Sequence, residues 1–428
     1  MTCLVTKDTN ICVVGLGYVG LPLAIAFADK FNVVAFDINK LRIKELNDNF
    51  DRTFEIESDS LESVKNNITF TSTISDAKIC NIFIITVPTP IDSKNEPNLD
   101  PLINSSRLIG SIIKKDDLVI YESTVYPGVT EEVCAPIISN ESGLIFNQDF
   151  FCGYSPERIN PGDKENVLSN IVKVTSGSTP EIAQKVDFLY NQIIKAGTFL
   201  VGSIKVAEAS KVIENTQRDV NIALINELAI IFNKMKIDTH EVLDAASTKW
   251  NFIDLRPGLV GGHCISIDPY YLTYKSKDLG YNPDLILTAR KINNSMSSYI
   301  VSEAVKLMIK SNITVSNSNV LILGLTFKEN CPDLRNSKVV DIISELKSLN
   351  CSVDVYDPWI NESFQSKWFN HKVITNPLEN DSKYDLIILA VAHDQFKEYT
   401  RDDFKYLSKE KALTIDIKSI IPSADWRL

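Results

Sequence analysis

The chain has 428 residues, of which 44 % are hydrophobic and 23 % charged. That composition excludes disorder, collagen and coiled coil, and at about 100–200 residues per domain the length allows two to four domains. Lys and Arg number 44 against 55 Asp and Glu, and the net charge of −11 argues against nucleic acid or an anionic membrane as partner while leaving room for a basic pocket for a small anion.

Eight cysteines (3, 12, 80, 134, 152, 264, 331, 351) are scattered without a C-x-x-C, and only four histidines accompany them. Neither a disulfide framework nor a metal site is signalled, and reduced thiols in a cytoplasmic protein fit best. Residues 11 to 28 are uncharged, follow Lys7 and end in Ala26-Phe27-Ala28, which imitates a signal peptide. Asp8, Pro22 and three glycines argue against that reading and against a membrane span.

The same stretch is better explained by Gly15-x-Gly17-x-x-Gly20. Ile11 to Val14 reads as a buried strand, a glycine turn follows, and a helix runs on through Leu23, Phe27 and Ala28. Asn32 to Asp37 is the next strand and ends in an acid seventeen residues after Gly20. In that context the glycines let the backbone approach a pyrophosphate, the helix N-terminus supplies N–H groups, and Asp37 accepts hydrogen bonds from a ribose diol. A carboxylate there repels a 2′-phosphate, so NAD is expected rather than NADP. Three further strand-like runs, at 81–90, 117–128 and 150–158, end in loops carrying Thr89, Thr124 and Glu157. Ligands of open parallel sheets bind at such carboxyl ends. The runs IVKVTSG and TFLVG complete this sheet near residue 202.

From Ser203 to Lys236 the chain has helical periodicity without an internal Gly or Pro, so one long helix is expected, a candidate subunit interface. Lys211, Asn215 and Arg218 fall at i, i+4 and i+7 on one face, suited to an anionic or hydroxylated substrate, whereas a solvated face is the plainer reading. Residues 255 to 272, LRPGLVGGHCISIDPYYL, follow. Gly258, Gly261 and Gly262 permit close backbone approach to a ligand. Cys264 and Asp268 are four residues apart, so a helix beginning at the cysteine would put thiol and carboxylate on one face near its positive end. A thiol so placed is an activated nucleophile, and the acid could orient a water.

After a helix through Met296 to Lys310, the order of the first half repeats: NVLILGLTFK, a helix, a strand ending at Asp357, and YDLIILAVAH. The fold class is therefore α/β, two Rossmann-like doubly wound domains joined by a long central helix, with boundaries at 1–202, 203–312 and 313–428. The second sheet lacks the glycine fingerprint, so a second dinucleotide is not expected. Lys328 and Arg335 sit in its first loop, placed for phosphate or carboxylate groups.

Taken together, GLGYVGLPLA, VPTP, ESTVYPG, SPER, KVIEN, GGHCISIDP and GLTFK resemble the UDP-glucose/GDP-mannose dehydrogenase family over essentially the whole chain. The stretches SIKVAEASKVIENTQRDVNIALINE and TKWNFIDLRPGLVGGHC look most like the branch acting on UDP-GlcNAc or UDP-GalNAc in bacterial surface polysaccharide synthesis. The resemblance implies a four-electron oxidation of the sugar C6 alcohol to a carboxylate, with Cys264 carrying a thiohemiacetal and then a thioester. It implies that Lys211 stabilises the oxyanion, that Asn215 assists, and that Asp268, Thr124 and Glu157 organise water and proton transfer. Gly15, Gly17, Tyr18, Val19, Gly20, Asp37, Arg42, Thr89, Thr124 and Arg335 match its NAD positions. Glu157, Lys211, Asn215, Gly258 and Lys328 match its substrate positions, with Arg218 and the 249–260 loop as candidates for the acetamido group. Lys249 and Arg256 are the cations available to cross into a neighbouring subunit of a homodimer. Ile265-Ser266-Ile267 departs from the I-G-V expected after the cysteine.

Other readings stay open at this stage: a UDP-glucose 6-dehydrogenase, a two-electron hydroxyacid-type dehydrogenase, which leaves Cys264 without work, and a nucleotide sensor, which needs neither Lys211, Cys264 nor Asp268.

Overall fold

A computed structural model describes residues 9–159, 167–360, 369, 373–379 and 381–428. Cys3, Lys7 and Asp8 lie outside the described residues. By internal contacts the chain forms two compact units, Met1–Glu214 with Tyr270–Tyr281, and Asn215–Pro269 with Asn282–Leu428. The segment between the two sheets is shared out between these units. The long helix, Ile204–Met235, contributes its first turns to one unit and the remainder to the other.

The first unit is built on eight strands: β1 (Asn10–Val14), β2 (Asn32–Phe36), β3 (Ile68–Thr71), β4 (Ile82–Ile85), β5 (Leu118–Tyr121), β6 (Phe151–Tyr154), β7 (Lys173–Gly177) and β8 (Thr198–Leu200). They lie in the order β3-β2-β1-β4-β5-β6-β7-β8. From β3 to β6 all pairings are parallel, with Val14 opposite Phe36 on one side and Ile85 on the other. The central strands read as unbroken apolar runs because helices cover both of their faces. Ile11, Val13, Leu21, Phe27, Ile84 and Ile120 meet in one core. Each such side chain stabilises by about 1.5–3 kcal/mol relative to exposure. The sheet is not wholly parallel as expected: β7 pairs antiparallel with β6, Gly153 opposite Gly177. The direction of pairing depends on how the chain returns after the SPER loop, and apolar periodicity carries no information about that.

The second unit holds β9 (Asn319–Leu323), β10 (Ser352–Tyr356), β11 (Tyr384–Leu389), β12 (Ser408–Asp416) and β13 (Trp426–Arg427), all parallel, in the order β10-β9-β11-β12-β13. Val320, Ile322, Leu386 and Ile388 pack on the helices Asp284–Lys310 and Val339–Ser348. The first of these begins twelve residues before the expected Met296. Among the described residues no helix is long and apolar enough to cross a membrane.

Candidate active site

In the first unit the glycine turn has the conformation its sequence requires. Gly15 adopts φ +94°, a left-handed value that a side chain would strain, and its N–H donates to the Phe36 carbonyl at 2.8 Å. Gly20 opens the helix Gly20–Ala28, and a Cβ there would lie 1.8 Å from the Gly15 oxygen. Gly17 is exposed, and a Cβ on it would meet nothing within 4 Å. The turn is thus closed behind and open in front, the shape a pyrophosphate needs. Thr86, which sequence reading passed over, braces it by donating to the Gly15 carbonyl at 2.7 Å. Tyr18 and Val19 are half-buried beside the opening.

Asp37 follows β2 directly. Its two oxygens accept from the N–H groups of Leu16 and Asn39, both at 2.8 Å, and the half-buried carboxylate keeps room for a diol. The cradle fits NAD. Arg42 stands differently from a surface contact: it is 5 % exposed, its Nε donates to the Leu16 carbonyl at 2.9 Å and its Nη2 lies 2.7 Å from Asp51. It braces the turn from behind. Burial pushes the Asp51 carboxyl up, but hydrogen bonds from Thr53 and the Arg42 charge hold it below its ordinary value.

Thr89 and Thr124, both half-buried, lie in the loops after β4 and β5, which Ser123 joins by donating to the Val87 carbonyl at 2.6 Å. Glu208 on the long helix fastens the second of these loops, accepting from Gly128 N–H at 2.5 Å and Thr130 N–H at 2.9 Å. Glu157, after β6, is 8 % exposed and lies 3.0 Å from Lys173. On the long helix Lys211 is 8 % exposed and has no ion-pair partner among the described residues. Arg218, one further turn beyond Asn215, is exposed, so the expected three-residue face divides into two buried members and one in solvent.

In the second unit the long helix and the glycine-rich stretch meet. The Asn215 amide donates to Asp268 Oδ2 at 2.6 Å, and both residues are buried. The helix does not begin at Cys264 as expected but at Asp268, with Pro269 in its first turn. Residues 262–267 form turns instead, and the Cys264 carbonyl accepts from Ile267 at 3.0 Å and Asp268 at 2.9 Å. Proline is well placed in a first turn because it lacks the N–H that a helix interior needs. Gly262, at φ +84°, lets the turn pass under the Phe327 ring, 2.8 Å from where a Cβ would stand. Asn336 donates to the Gly262 carbonyl at 3.0 Å. Ser266, the departure noted above, donates to the same carbonyl at 2.6 Å and so tightens the turn. Among the described cysteines Cys264 alone is not buried.

Gly258 is held by a reciprocal pair with Asn226: its N–H donates to Oδ1 at 2.8 Å and its carbonyl accepts from Nδ2 at 3.0 Å. Asn293 and the buried Arg290–Asp219 pair stand behind Asn226. Lys249 is exposed, while Arg256 is engaged by Asp244 at 2.7 Å and Asp254 at 3.0 Å. Lys328 lines a pocket with Leu259, Gly261, Phe327, Lys338, Lys418 and Glu329; Glu329 pairs with Lys418 at 2.7 Å and Asp341 with Lys338 at 3.0 Å, and Lys328 is the cation placed for a phosphate-bearing ligand. Arg335 grips Asp333 through Nε and Nη2, and His263 Nδ1 lies 3.7 Å from the same carboxylate.

The second sheet repeats the first with one decisive change. Gly324, at φ +90°, donates to the Tyr356 carbonyl at 2.8 Å just as Gly15 does to Phe36, and Asp357 accepts from Leu325 and Thr326 as Asp37 does from Leu16. Asp357, however, is 1 % exposed and its Oδ2 meets His393 Nε2 at 3.0 Å. Its other oxygen accepts from the Trp359 N–H at 2.8 Å. Hydrogen bonds from His393 and from these N–H groups hold its carboxyl below the ordinary value against the effect of burial.

An open glycine cradle with its acid, a second nucleotide-type sheet with a lysine-lined pocket, and a solvent-reachable thiol define a dinucleotide-dependent dehydrogenase acting on a phosphorylated ligand. The chain belongs to the UDP-glucose/GDP-mannose dehydrogenase family: the NAD-binding domain of that family matches residues 9–194, its central domain 205–295 and its UDP-binding domain 321–423. It is an NAD-dependent oxidoreductase. The chain is 56 % identical over 415 residues to UDP-N-acetyl-D-glucosamine 6-dehydrogenase of Pseudomonas aeruginosa, covering 97 % of this chain and 98 % of that one. It is 52 % identical to the enzyme of the same name from Salmonella typhi over 97 % of each chain, and 50 % identical to protein CapL of Staphylococcus aureus over 98 % of this chain and all of that one. Among solved structures, UDP-D-ManNAc dehydrogenase from Pyrococcus horikoshii superposes with a TM-score of 0.88 at 31 % identity, over 98 % of both chains.

Proposed function

We propose that the protein oxidises the C6 alcohol of UDP-N-acetyl-D-glucosamine to the carboxylate, a four-electron reaction passing through covalent adducts of Cys264. The observation that carries this reading is the half-buried Cys264 on its turn beside the buried Asn215–Asp268 pair, in a chain 56 % identical over nearly its full length to an enzyme named for that substrate.

Gly15, Gly17, Tyr18, Val19 and Gly20 hold the pyrophosphate of NAD, Asp37 its ribose, with Thr89, Thr124 and Arg335 as further contacts, and Arg42 serves the cofactor through the turn it braces. When bound, NAD takes up the hydride in each of the two oxidations. After the first, the Cys264 thiolate adds to the C6 aldehyde, and the carbonyl electron pair moves onto oxygen as the S–C bond forms. The Lys211 ammonium, which has no ion-pair partner among the described residues, stabilises that oxyanion, and the Asn215 amide assists. After the second oxidation C6 is a thioester. Water, organised by Asp268, Thr124 and Glu157, adds to it, the C–S bond breaks, and the sulfur recovers its proton as the carboxylate leaves. Covalent capture keeps the reactive aldehyde from escaping. Lys328 receives the diphosphate, and Gly258, its N–H and carbonyl both held by Asn226, serves the substrate through the open space its missing side chain leaves.

An apolar stripe on the long helix supports a homodimer. Val206, Ile213, Leu224, Ile231 and Met235 are exposed and, at about 3.6 residues per turn, share one face. NAD and UDP-sugars as substrates, and free thiols, support a cytoplasmic enzyme supplying a uronic acid for surface polysaccharide. Steady-state kinetics with UDP-GlcNAc, UDP-GalNAc and UDP-glucose tests the substrate: the highest kcat/KM is expected with UDP-GlcNAc, and a preference for UDP-glucose of about tenfold or more would overturn the assignment.

A further inference from the structure

Behind the SPER loop the first unit buries a group of ionisable side chains of which only Glu157 has a role above. Lys173, the first residue of β7, is 2 % exposed, and its Nζ lies 2.7 Å from Glu122 Oε2 and 3.0 Å from Glu157 Oε2. Tyr190, on the helix Pro180–Asn191, donates its hydroxyl to Glu122 Oε1 and sets its ring 5.3 Å from the Lys173 ammonium. The second oxygen of Glu157 accepts from the N–H groups of Arg158 at 2.6 Å and Ile159 at 2.5 Å. Lys173 and the two N–H groups thus fix both oxygens of the Glu157 carboxylate, while Glu122 and Tyr190 hold Lys173 from behind.

Stability does not explain the cluster. Desolvating buried charges offsets most of their mutual attraction, and well-packed apolar residues of similar volume stabilise as well or better. The arrangement does something a hydrophobic substitute cannot: it selects one orientation for Glu157 at the carboxyl edge of the sheet, where ligands of such sheets bind. We propose that Lys173 and Glu122, backed by Tyr190, are positioning residues for Glu157, fixing the direction in which its carboxylate meets substrate and water. This rests on the reading of Glu157 as a site residue.

Among the described residues the charges facing Glu157 are Lys173 from β7 and Glu122 from the loop after β5; the neighbouring Arg158 is engaged by Glu214 of the long helix, Nε to Oε1 at 2.8 Å. Burial pushes both carboxyls up. For Glu157 the Lys173 charge and the two N–H groups more than compensate and hold it below its ordinary value, whereas Glu122 is pushed up to about 7. Glu157 is therefore the charged partner of Lys173 at neutral pH, and without the ammonium it would hold its proton to higher pH.

The test uses the full-length enzyme with NAD and UDP-N-acetyl-D-glucosamine across pH, with thermal melting alongside. Lys173→Met/Glu122→Gln removes ammonium and second carboxylate together, so that Glu157 alone remains charged in the cluster, held by the N–H groups of Arg158 and Ile159. It is expected to melt as a folded protein, to keep NAD affinity, to lose about tenfold or more in kcat/KM, and to move the acid limb of the kcat/KM profile up by about one pH unit or more. Lys173→Arg should restore part of both. A folded double variant with the wild-type rate and pH profile, beside a Glu157→Gln variant that is impaired, would overturn the positioning role alone. An unimpaired Glu157→Gln variant would overturn the reading of Glu157, and the positioning role with it.

Discussion

Cys264 differs from the other described cysteines in the two properties that decide reactivity, exposure and surroundings. Burial pushes the thiols of Cys80 and Cys134 up to about 12, and those of Cys12 and Cys152 well above the ordinary thiol value, so at neutral pH they are inert core residues. Cys264 is half-buried and sits on the turn just ahead of the helix Asp268–Asp278. Cys264→Ser should therefore keep NAD affinity within about twofold and lose at least about a hundredfold in net oxidation, because a hydroxyl is a far poorer nucleophile at neutral pH. Dye-free binding by calorimetry and NADH formation measure the two; turnover like that of the wild type would remove the covalent route. Residues of this kind were legible in the sequence because they advertise local needs: glycines at positive φ, an acid closing a strand, a thiol after a glycine pair. Lys173, Thr86, Asn226 and His393 were not. Each acts on a partner far along the chain, Lys173 on Glu122 across 51 residues and His393 on Asp357 across 36, and no spacing rule connects them.

The elements were legible wherever periodicity or an apolar run ends sharply, and the long helix came within one residue of its expected ends. Two features of the glycine-rich segment were not. The helix begins at Asp268 because Gly262 and Ser266 favour a turn and Pro269 suits a first helical turn, so Cys264 lies before the helix and not within it. The long helix also buries Glu208, Lys211, Asn215, Thr216, Asp219 and Asn226, polar residues that hydropathy assigns to solvent. Its exposed apolar stripe runs the other way and predicts association. Light scattering should find the wild type dimeric at micromolar concentration, while Leu224→Glu, placing a charge in the middle of the stripe, should weaken the dimer at least about tenfold. A monomeric wild type, or an unaffected variant, would contradict an interface on this helix.

Across the whole molecule one design occurs twice with different outcomes. In both sheets a glycine at positive φ turns the chain after the first strand and an acid at the end of the second strand receives the next N–H. Asp37 stays half-exposed over an open glycine turn; Asp357 is sealed by His393, and the helix that should open at once is delayed to Val339. The loop of residues 327–337 freed by that delay carries Lys328 and Arg335 and supports the Cys264 turn through Phe327 and Asn336. The repeat was readable from VVAFD and VDVYD, but the sealing of the second acid depends on a histidine that arrives with a later strand. One sheet is thereby left for NAD and the other for a different ligand, which is why a single chain can carry substrate and cofactor chemistry together. On the proposed function such a chain oxidises one alcohol twice without releasing the aldehyde. The most direct test counts NADH formed per UDP-N-acetyl-D-glucosamine consumed, with limiting sugar and excess NAD. About two, with no free aldehyde trapped by hydroxylamine, is the predicted result; about one, with aldehyde accumulating, would contradict it.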